Sequence, residues 1–385
     1  MNAVMERMSN TDGKRYIQIA EQLFAEVCEG RYSAFHSFPS LTKIMRRFSV
    51  ARATAAKSVD ELKKRGVLKS FPGSRLDVIG NNRLVGLILP GVAYSEFFSS
   101  VIIGISRQCQ KEGFGLLFGD VYSREQEVRV RQAKSLVLDF VKKRVSGVIF
   151  QPIELVNGAS QLNSEIISIL SKAGIPITLI DYDVVLPPER SMFDLVGINN
   201  FDAGRRIAEH LLQVGAKNIH FFVRGFGTTS VQNRIEGVKS VIASAGGKFP
   251  QVLRVFTGDD KKDCAKFLKK YRPDAIIGGN DSDAVYLKHL LDSLGVSVPK
   301  DVMLAGFDDT HEAAVMTPQL TTVRQPSEEI GAIAVRVLKE RIAESSMPPR
   351  EILLPAPLIV RSSTAVTNAA IKGKSRRSKN REENI

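Results

Sequence analysis

Cysteine is scarce in this sequence. Cys28, Cys109 and Cys264 are odd in number and far apart, so no disulfide framework is expected and the thiols read as buried or free in a reducing compartment. The five histidines show no metal-ligand spacing and no cysteine pairs with them, so no metal is expected. No run of about 18 apolar residues occurs, which excludes a membrane-spanning helix. The first 30 residues carry Glu6, Asp12 and Glu21 and no apolar core, so no secretory signal is expected and the location is read as cytoplasmic. Asp181/Asp183 and Asp308/Asp309 look superficially like acid/base pairs, but neither comes with a nucleophile or a base in a recognisable motif, so an enzyme is not expected. Gly113-Phe-Gly and Gly225-Phe-Gly are incomplete as phosphate loops, and no cofactor is expected.

The 385 residues, 43 % hydrophobic and 25 % charged, suit a soluble protein of two or three cores. The net charge of +13 is unevenly placed. Residues 1–83 hold 15 Lys and Arg against 8 Asp and Glu, and the last 15 residues hold 6 against 2, which leaves the long middle nearly balanced. Positive charge gathered at two ends fits a chain whose ends meet a polyanion, and equally a solvated surface with a basic tail.

Residues 1–14 lack periodicity and read as a loose arm. Residues 15–80 read as three helices and a hairpin. Ile17, Ala20, Phe24 and Val27 recur at helical spacing before Gly30, and Ser40 offers an N-cap for a short helix with Leu41, Ile44, Met45 and Phe48 on one face. A third helix runs from about Arg52 to Arg65, with Val59 and Leu62 inward. Val67–Phe71 and Leu76–Ile79 then flank a Pro72-Gly73 turn. That pattern is a winged helix-turn-helix, and the helix opening at Arg52 is the one that would lie in a major groove. Arg52 is suited to fork onto guanine or clamp a phosphate. Ser40 and Thr54 can donate to phosphates, Lys57 lies one turn along the same face as Arg52, and Gly73 with Arg75 can follow the neighbouring backbone.

Residues 83–365 read differently. Ten short apolar strand candidates, beginning at Val85–Leu89 and ending at Leu320–Val323, alternate with helix-length segments, as in parallel α/β folds. Their length suits two doubly wound subdomains. Residues 368–385 lose apolar content and are expected to be a disordered basic tail.

Over residues 15–79 the segment resembles the GntR family of bacterial regulators. Phe38, Pro39, Ser40, Val50, Arg52, Thr54, Lys57, Leu62 and Gly66 fit that family's pattern. Thr42 and Ala56 stand where it has arginines, with Lys43 and Lys57 next to those places, and Pro72 and Leu76 make the wing unusual. From Arg83 to Ser363 the chain resembles the effector domain of LacI/GalR regulators, which are related to periplasmic sugar-binding proteins. The motifs that carry this include Leu84-Val-Gly-Leu-Ile-Leu-Pro, Gly174-Ile-Pro-Ile-Thr-Leu-Ile-Asp, Val196-Gly-Ile-Asn-Asn-Phe-Asp-Ala-Gly, Arg234-Ile-Glu-Gly, Gly279-Asn-Asp, Gly306-Phe-Asp-Asp and Leu320-Thr-Thr-Val-Arg-Gln-Pro.

Ligands of open α/β sheets bind outside the carboxyl ends of strands. Asp181, Asn280 and Asp308 end strand candidates, Gln325 follows another, and Arg234 opens a helix. The resemblance implies the same five as effector-binding, with Phe97 and Phe98 in the first cleft loop; Asp120 and Gln151 are weaker candidates at strand ends. Tyr94, Phe226 and Phe307 are further aromatics suited to the apolar face of a sugar ring. Each also has a plainer role: the aspartates as turn formers, Asn280 as a helix cap, Arg234 in a surface ion pair. The reading is a homodimeric DNA-binding regulator whose grip on operator DNA is set by a small molecule. A pentose, a hexose or a derivative is expected, with a purine-like ligand as alternative. The rivals are a soluble sugar-binding module, which leaves the winged helix unexplained, and an enzyme.

Overall fold

The structure is a computed structural model. It describes residues 15–27, 31–32, 38–71, 75–78, 84–89, 95–121, 125–154, 158–186, 188–225, 227–256 and 259–365. The expected arm (1–14) and basic tail (368–385), together with Cys28, Gly73, Tyr94 and Phe226, lie outside the described residues.

The N-terminal unit begins with a helix at 15–27 (α1), followed by α2 (Leu41–Phe48) and α3 (Arg52–Lys64). Ser40 caps α2 by accepting from the Lys43 amide, and Ser49 ends it in the left-handed region at φ 52°. A non-glycine residue there is uncommon, and it makes the turn tight enough for α3 to start three residues later. After α3 come β1 (Leu68–Phe71) and β2 (Arg75–Val78), paired antiparallel from Leu68↔Val78 to Phe71↔Arg75. Three helices and a hairpin form the expected winged helix-turn-helix. Its core is Ile19, Leu23, Phe38, Ile44, Ala55, Val59, Leu62, Leu68 and Leu76.

The remainder is two lobes built on the same plan. The first lobe's strands are β3 (Leu84–Leu89), β4 (Gly115–Asp120), β5 (Gly147–Phe150), β6 (Ile177–Ile180), β7 (Asp194–Ile198) and β13 (Glu351–Leu354), in the order β13-β7-β6-β5-β3-β4 with every pair parallel. The second lobe's are β8 (Ile219–Arg224), β9 (Val252–Val255), β10 (Ala275–Gly278), β11 (Met303–Asp308), β12 (Thr321–Arg324) and β14 (Leu358–Ile359), ordered β14-β12-β11-β10-β8-β9. Only β12 and β14 run antiparallel. In both sheets the strand order reverses beside the lobe's first strand, β3 or β8. There the loops leaving the strands' carboxyl ends open a crevice for a ligand.

The chain crosses between lobes three times. β7 leads to α7 (Asn200–Gln213), which packs on α8 (Thr229–Ser244) in the second lobe. β12 leads back to α12 (Ser327–Ala343), which packs on α4 (Glu96–Glu112) in the first. The third crossing joins β13 to β14. The α7–α8 contact depends on Gly204, because a Cβ there would stand 2.1 Å from the carbonyl oxygen of Arg234. No helix of the described residues is long and apolar enough to cross a membrane.

Candidate ligand cleft and nucleic-acid interface

The fold brings Asp181, Arg234, Asp308 and Gln325 into one connected network. Asp181 follows β6 and takes φ 71°. Its carboxylate accepts from Ser230 Oγ on α8 at 3.0 Å and from Gln151 Nε2, just past β5, at 3.2 Å. Asp308 closes β11 at φ 117°, and its Oδ1 accepts from Gln325 Nε2 at 2.7 Å. Positive φ at both aspartates is backbone strain of the sort held at ligand sites.

Arg234, only 4 % exposed, joins the two halves. Its Nε donates to Asn200 Oδ1 at 2.9 Å and one terminal nitrogen to the Gly279 carbonyl at 2.7 Å. The other terminal nitrogen lies 3.8 Å from Asp308 Oδ1. Burial raises the Asp308 carboxyl to about 6, against the pull of Arg234. Burial also raises Asp181, and Arg234 again opposes the shift. The buried amides of Gln151 and Gln325 each leave Oε1 without a partner among the described residues. Buried acceptors are normally satisfied, which sets these two oxygens apart.

Other expected residues take different places. Phe97 is 7 % exposed and packs edge-on against Phe98 with ring centroids 5.1 Å apart. Asn280 caps α10 (Asp281–Ser293), accepting from the Asp283 amide at 2.8 Å. Phe307 does not cover a ligand face. It is fully buried, because β11 has both faces covered, and the Arg234 guanidinium lies 4.5 Å above its ring. Arg234 is likewise not in a surface ion pair. The two aspartate pairs are split by role: Asp183 binds Arg190 and the amides of Val185 and Ser191, shaping its loop, and Asp309 is held by Arg324 at 2.6 Å and Arg361 at 2.5 Å. The side chain of Asp120 lies outside the described residues. Sequence reasoning missed Ser230 and Asn200. Asn200 stands within the quoted Asn-Asn motif, whereas nothing local marks Ser230.

The lobes also meet at the rims of the cleft. Glu154 of the first lobe accepts from the amide and hydroxyl of Thr229, the first residue of α8, with amide distances of 3.0 and 3.1 Å. Glu96 accepts from the amide of His311, which opens the short helix α11 (His311–Val315), at 2.8 and 3.1 Å.

On the winged helix, Ser40, Lys43, Arg52 and Lys57 are exposed around α2 and the start of α3. Thr54 is not. At 6 % exposure it faces the core, in line with Ser58 and Leu62 at successive helical turns, so it is no surface donor in this structure. Arg75 sits at the start of β2, opposite Phe71; its side chain is outside the described residues. Arg47 is bound instead by the buried Glu26, together with Tyr32, and so braces α2 against α1.

Residues 208–364 match the family model of the periplasmic binding protein-like domain. The chain is 29 % identical over 290 residues to the HTH-type transcriptional regulator DegA of Bacillus subtilis, covering 74 % of this chain and 82 % of that protein. It is 24 % identical over 373 residues to the arabinose metabolism transcriptional repressor of Geobacillus stearothermophilus, covering 91 % of this chain and 97 % of that one. The chain is similar to transcriptional regulators along most of its length, and its second half carries the periplasmic-binding-protein-like match. Its fold superposes with TM-score 0.60 on a LacI family transcriptional regulator from Enterococcus faecium with bound ribose, at 24 % identity over 74 % of this chain and all of that one. Like these relatives, the protein is a transcription regulator and not an enzyme.

Proposed function

We propose that this regulator binds operator DNA through its winged helix, as a homodimer, and that a small molecule in the interlobe cleft sets its affinity. The observation that carries the effector half is the buried Arg234–Asp308–Gln325 and Asp181–Gln151–Ser230 network. It spans both lobes at the crevice and retains two unpartnered amide oxygens. Carboxylates, amides and one guanidinium converging there suit paired hydrogen bonds to vicinal hydroxyls, with Phe97 and Phe98 beside them. A sugar or sugar derivative fits best. The ribose bound in the structural neighbour and the arabinose repressor among the relatives support that class.

The DNA half rests on the exposed Arg52, Lys43 and Lys57 around the helix-turn-helix and on the β1–β2 hairpin that follows it. We read this unit as GntR-like; the match to the arabinose repressor supports it, because that alignment spans nearly the whole chain. A twofold dimer would present two α3 helices to two half-sites. Effector favouring one lobe arrangement would change the spacing of those helices, a linkage typically of about 1–3 kcal/mol.

A thermal-shift screen of the full chain against sugars tests the effector half, because binding stabilises by RT ln(1 + [L]/Kd). Operator titration with and without the hit tests the linkage. A sugar that stabilises the protein but leaves operator affinity unchanged would refute the coupling.

A further inference from the structure

The inference concerns the charge of the ligand and rests on the effector reading above. Helix N-termini are the usual seats of phosphate, since their unpaired amides and the helix dipole attract anions. Here four helix starts that follow strands of the second lobe carry carboxylates of the chain itself. Glu154 lies on the first amide of α8, and Glu96 lies on the first amide of α11. Asp281 and Asp283 occupy the first turn of α10, and Glu328 and Glu329 that of α12. Asp281 is fully buried and accepts from Thr310 and Thr322.

The cations of the cleft are also committed. Arg234 is engaged by Asn200, Gly279 and Asp308, and Arg324 by Asp309. A cavity of about 360 Å³ at one mouth is lined by Glu96, Asp308, Asp309, Glu328 and Glu329, with Arg324 the one cation among its described lining residues. A phosphate or carboxylate entering this space would displace a built-in carboxylate or stand among five carboxylates, Asp308, Asp309 and Glu328 of which already hold arginines. A hydroxyl there meets carboxylate acceptors, beside Gln325, whose buried Oε1 has no partner among the described residues.

We propose that the cleft selects an uncharged polyol and rejects its phosphorylated form, and that Glu154 and Glu96 enforce this by occupying the backbone amides of Thr229 and His311, to which a phosphate would otherwise bind. The arrangement excludes the wrong ligand by repulsion as well as favouring the right one.

The test is calorimetry on the full chain at fixed ionic strength. The probes are D-ribose, L-arabinose and D-glucose, set against D-ribose 5-phosphate and D-glucose 6-phosphate. At least one neutral sugar should bind, with its phosphate ester at least about tenfold weaker. Glu154→Gln with Glu96→Gln removes both charges at nearly constant shape and should narrow that ratio; each single change should narrow it in part, so either serves if the double variant does not melt cooperatively. A phosphate ester that binds as tightly as its parent sugar overturns the proposal while leaving the effector reading intact. An unchanged ratio in the variants overturns the assignment to Glu154 and Glu96. Binding of no sugar of either kind overturns the effector reading, and the proposal with it.

Discussion

Arg234→Ala is expected to weaken both the fold and the site, and the structure gives the sizes. The side chain is 4 % exposed and makes two hydrogen bonds, to Asn200 Oδ1 and to the Gly279 carbonyl, over the Phe307 ring. Removing one partner of a buried charged pair commonly costs about 3–5 kcal/mol, since the survivor is left uncompensated. Here the survivor has a way out. Asp308 already sits at about 6, so taking up a proton at pH 7 costs it only about 1.4 kcal/mol. The expected loss at pH 7 is therefore at the lower end, about 3–4 kcal/mol. At pH 5, where Asp308 is already largely protonated in the parent, the loss should be smaller.

Urea unfolding of the effector domain's transition at the two pH values measures both losses. Arg234→Lys keeps the charge but not the forked geometry, and should recover the pH-dependent part alone. If ligand also uses this guanidinium, affinity in Arg234→Ala falls roughly 10- to 150-fold, the worth of a hydrogen bond to a charged group. A loss below about 1 kcal/mol, equal at both pH values, would refute the reasoning, because it would mean the guanidinium neither neutralises Asp308 nor satisfies buried acceptors.

Arg52→Ala should cost about 1–3 kcal/mol at a specific operator in an anisotropy titration if Arg52 reads a base; an equal loss on a scrambled duplex makes it a phosphate contact. Asp308 has a raised carboxyl, so the native state binds its proton more tightly than the unfolded chain and stability falls as pH climbs from about 4 to about 6. Asp308→Asn removes that slope, and its stability relative to the parent should improve from pH 4 to pH 7; a flat difference would show that the carboxyl is not raised. Gly204→Ala would drive a Cβ onto the Arg234 carbonyl oxygen at 2.1 Å, an overpacking cost of about 1–3 kcal/mol that exceeds the helix-propensity gain, so the melting temperature should drop.

How much was legible depended on where each signal lay. The ten strand candidates all became strands because short apolar runs bounded by turn residues are a local signal. β13 and β14 were missed. They are four and two residues long, lie among prolines at 348, 349, 355 and 357, and exist because each completes the edge of a different sheet. Asp181, Asp308 and Gln325 could be singled out as candidates because strand ends are where α/β sheets bind ligands, and the fold does bring them to one crevice. Phe307 was misread because β11 is buried on both faces, so no alternation says which way a ring points. Thr54 was a different failure. Its place one and two turns before Ser58 and the inward-facing Leu62 already put it on the core side of α3.

The two residues that reasoning from the sequence missed explain how the site and the lobe crossings are tied together. Asn200 is the first residue of α7, at the point where the chain first passes between lobes, and its side-chain oxygen holds Arg234. Ser230 lies one turn before Arg234 on α8 and reaches Asp181 in the other lobe. Neither role follows from neighbours in sequence, since each needs a partner brought by the crossing. Arg234 therefore rests on the residue that begins one crossing and faces Asp308, whose Oδ1 is held by Gln325 at the start of another. A ligand hydroxyl that competes for Asp308 or Asp181 must rearrange hydrogen bonds anchored at the crossings themselves. Because packed interfaces switch between discrete arrangements more readily than they bend, exchange of those few hydrogen bonds is, on the function proposed for the cleft, a direct route from a bound polyol to a change in lobe angle.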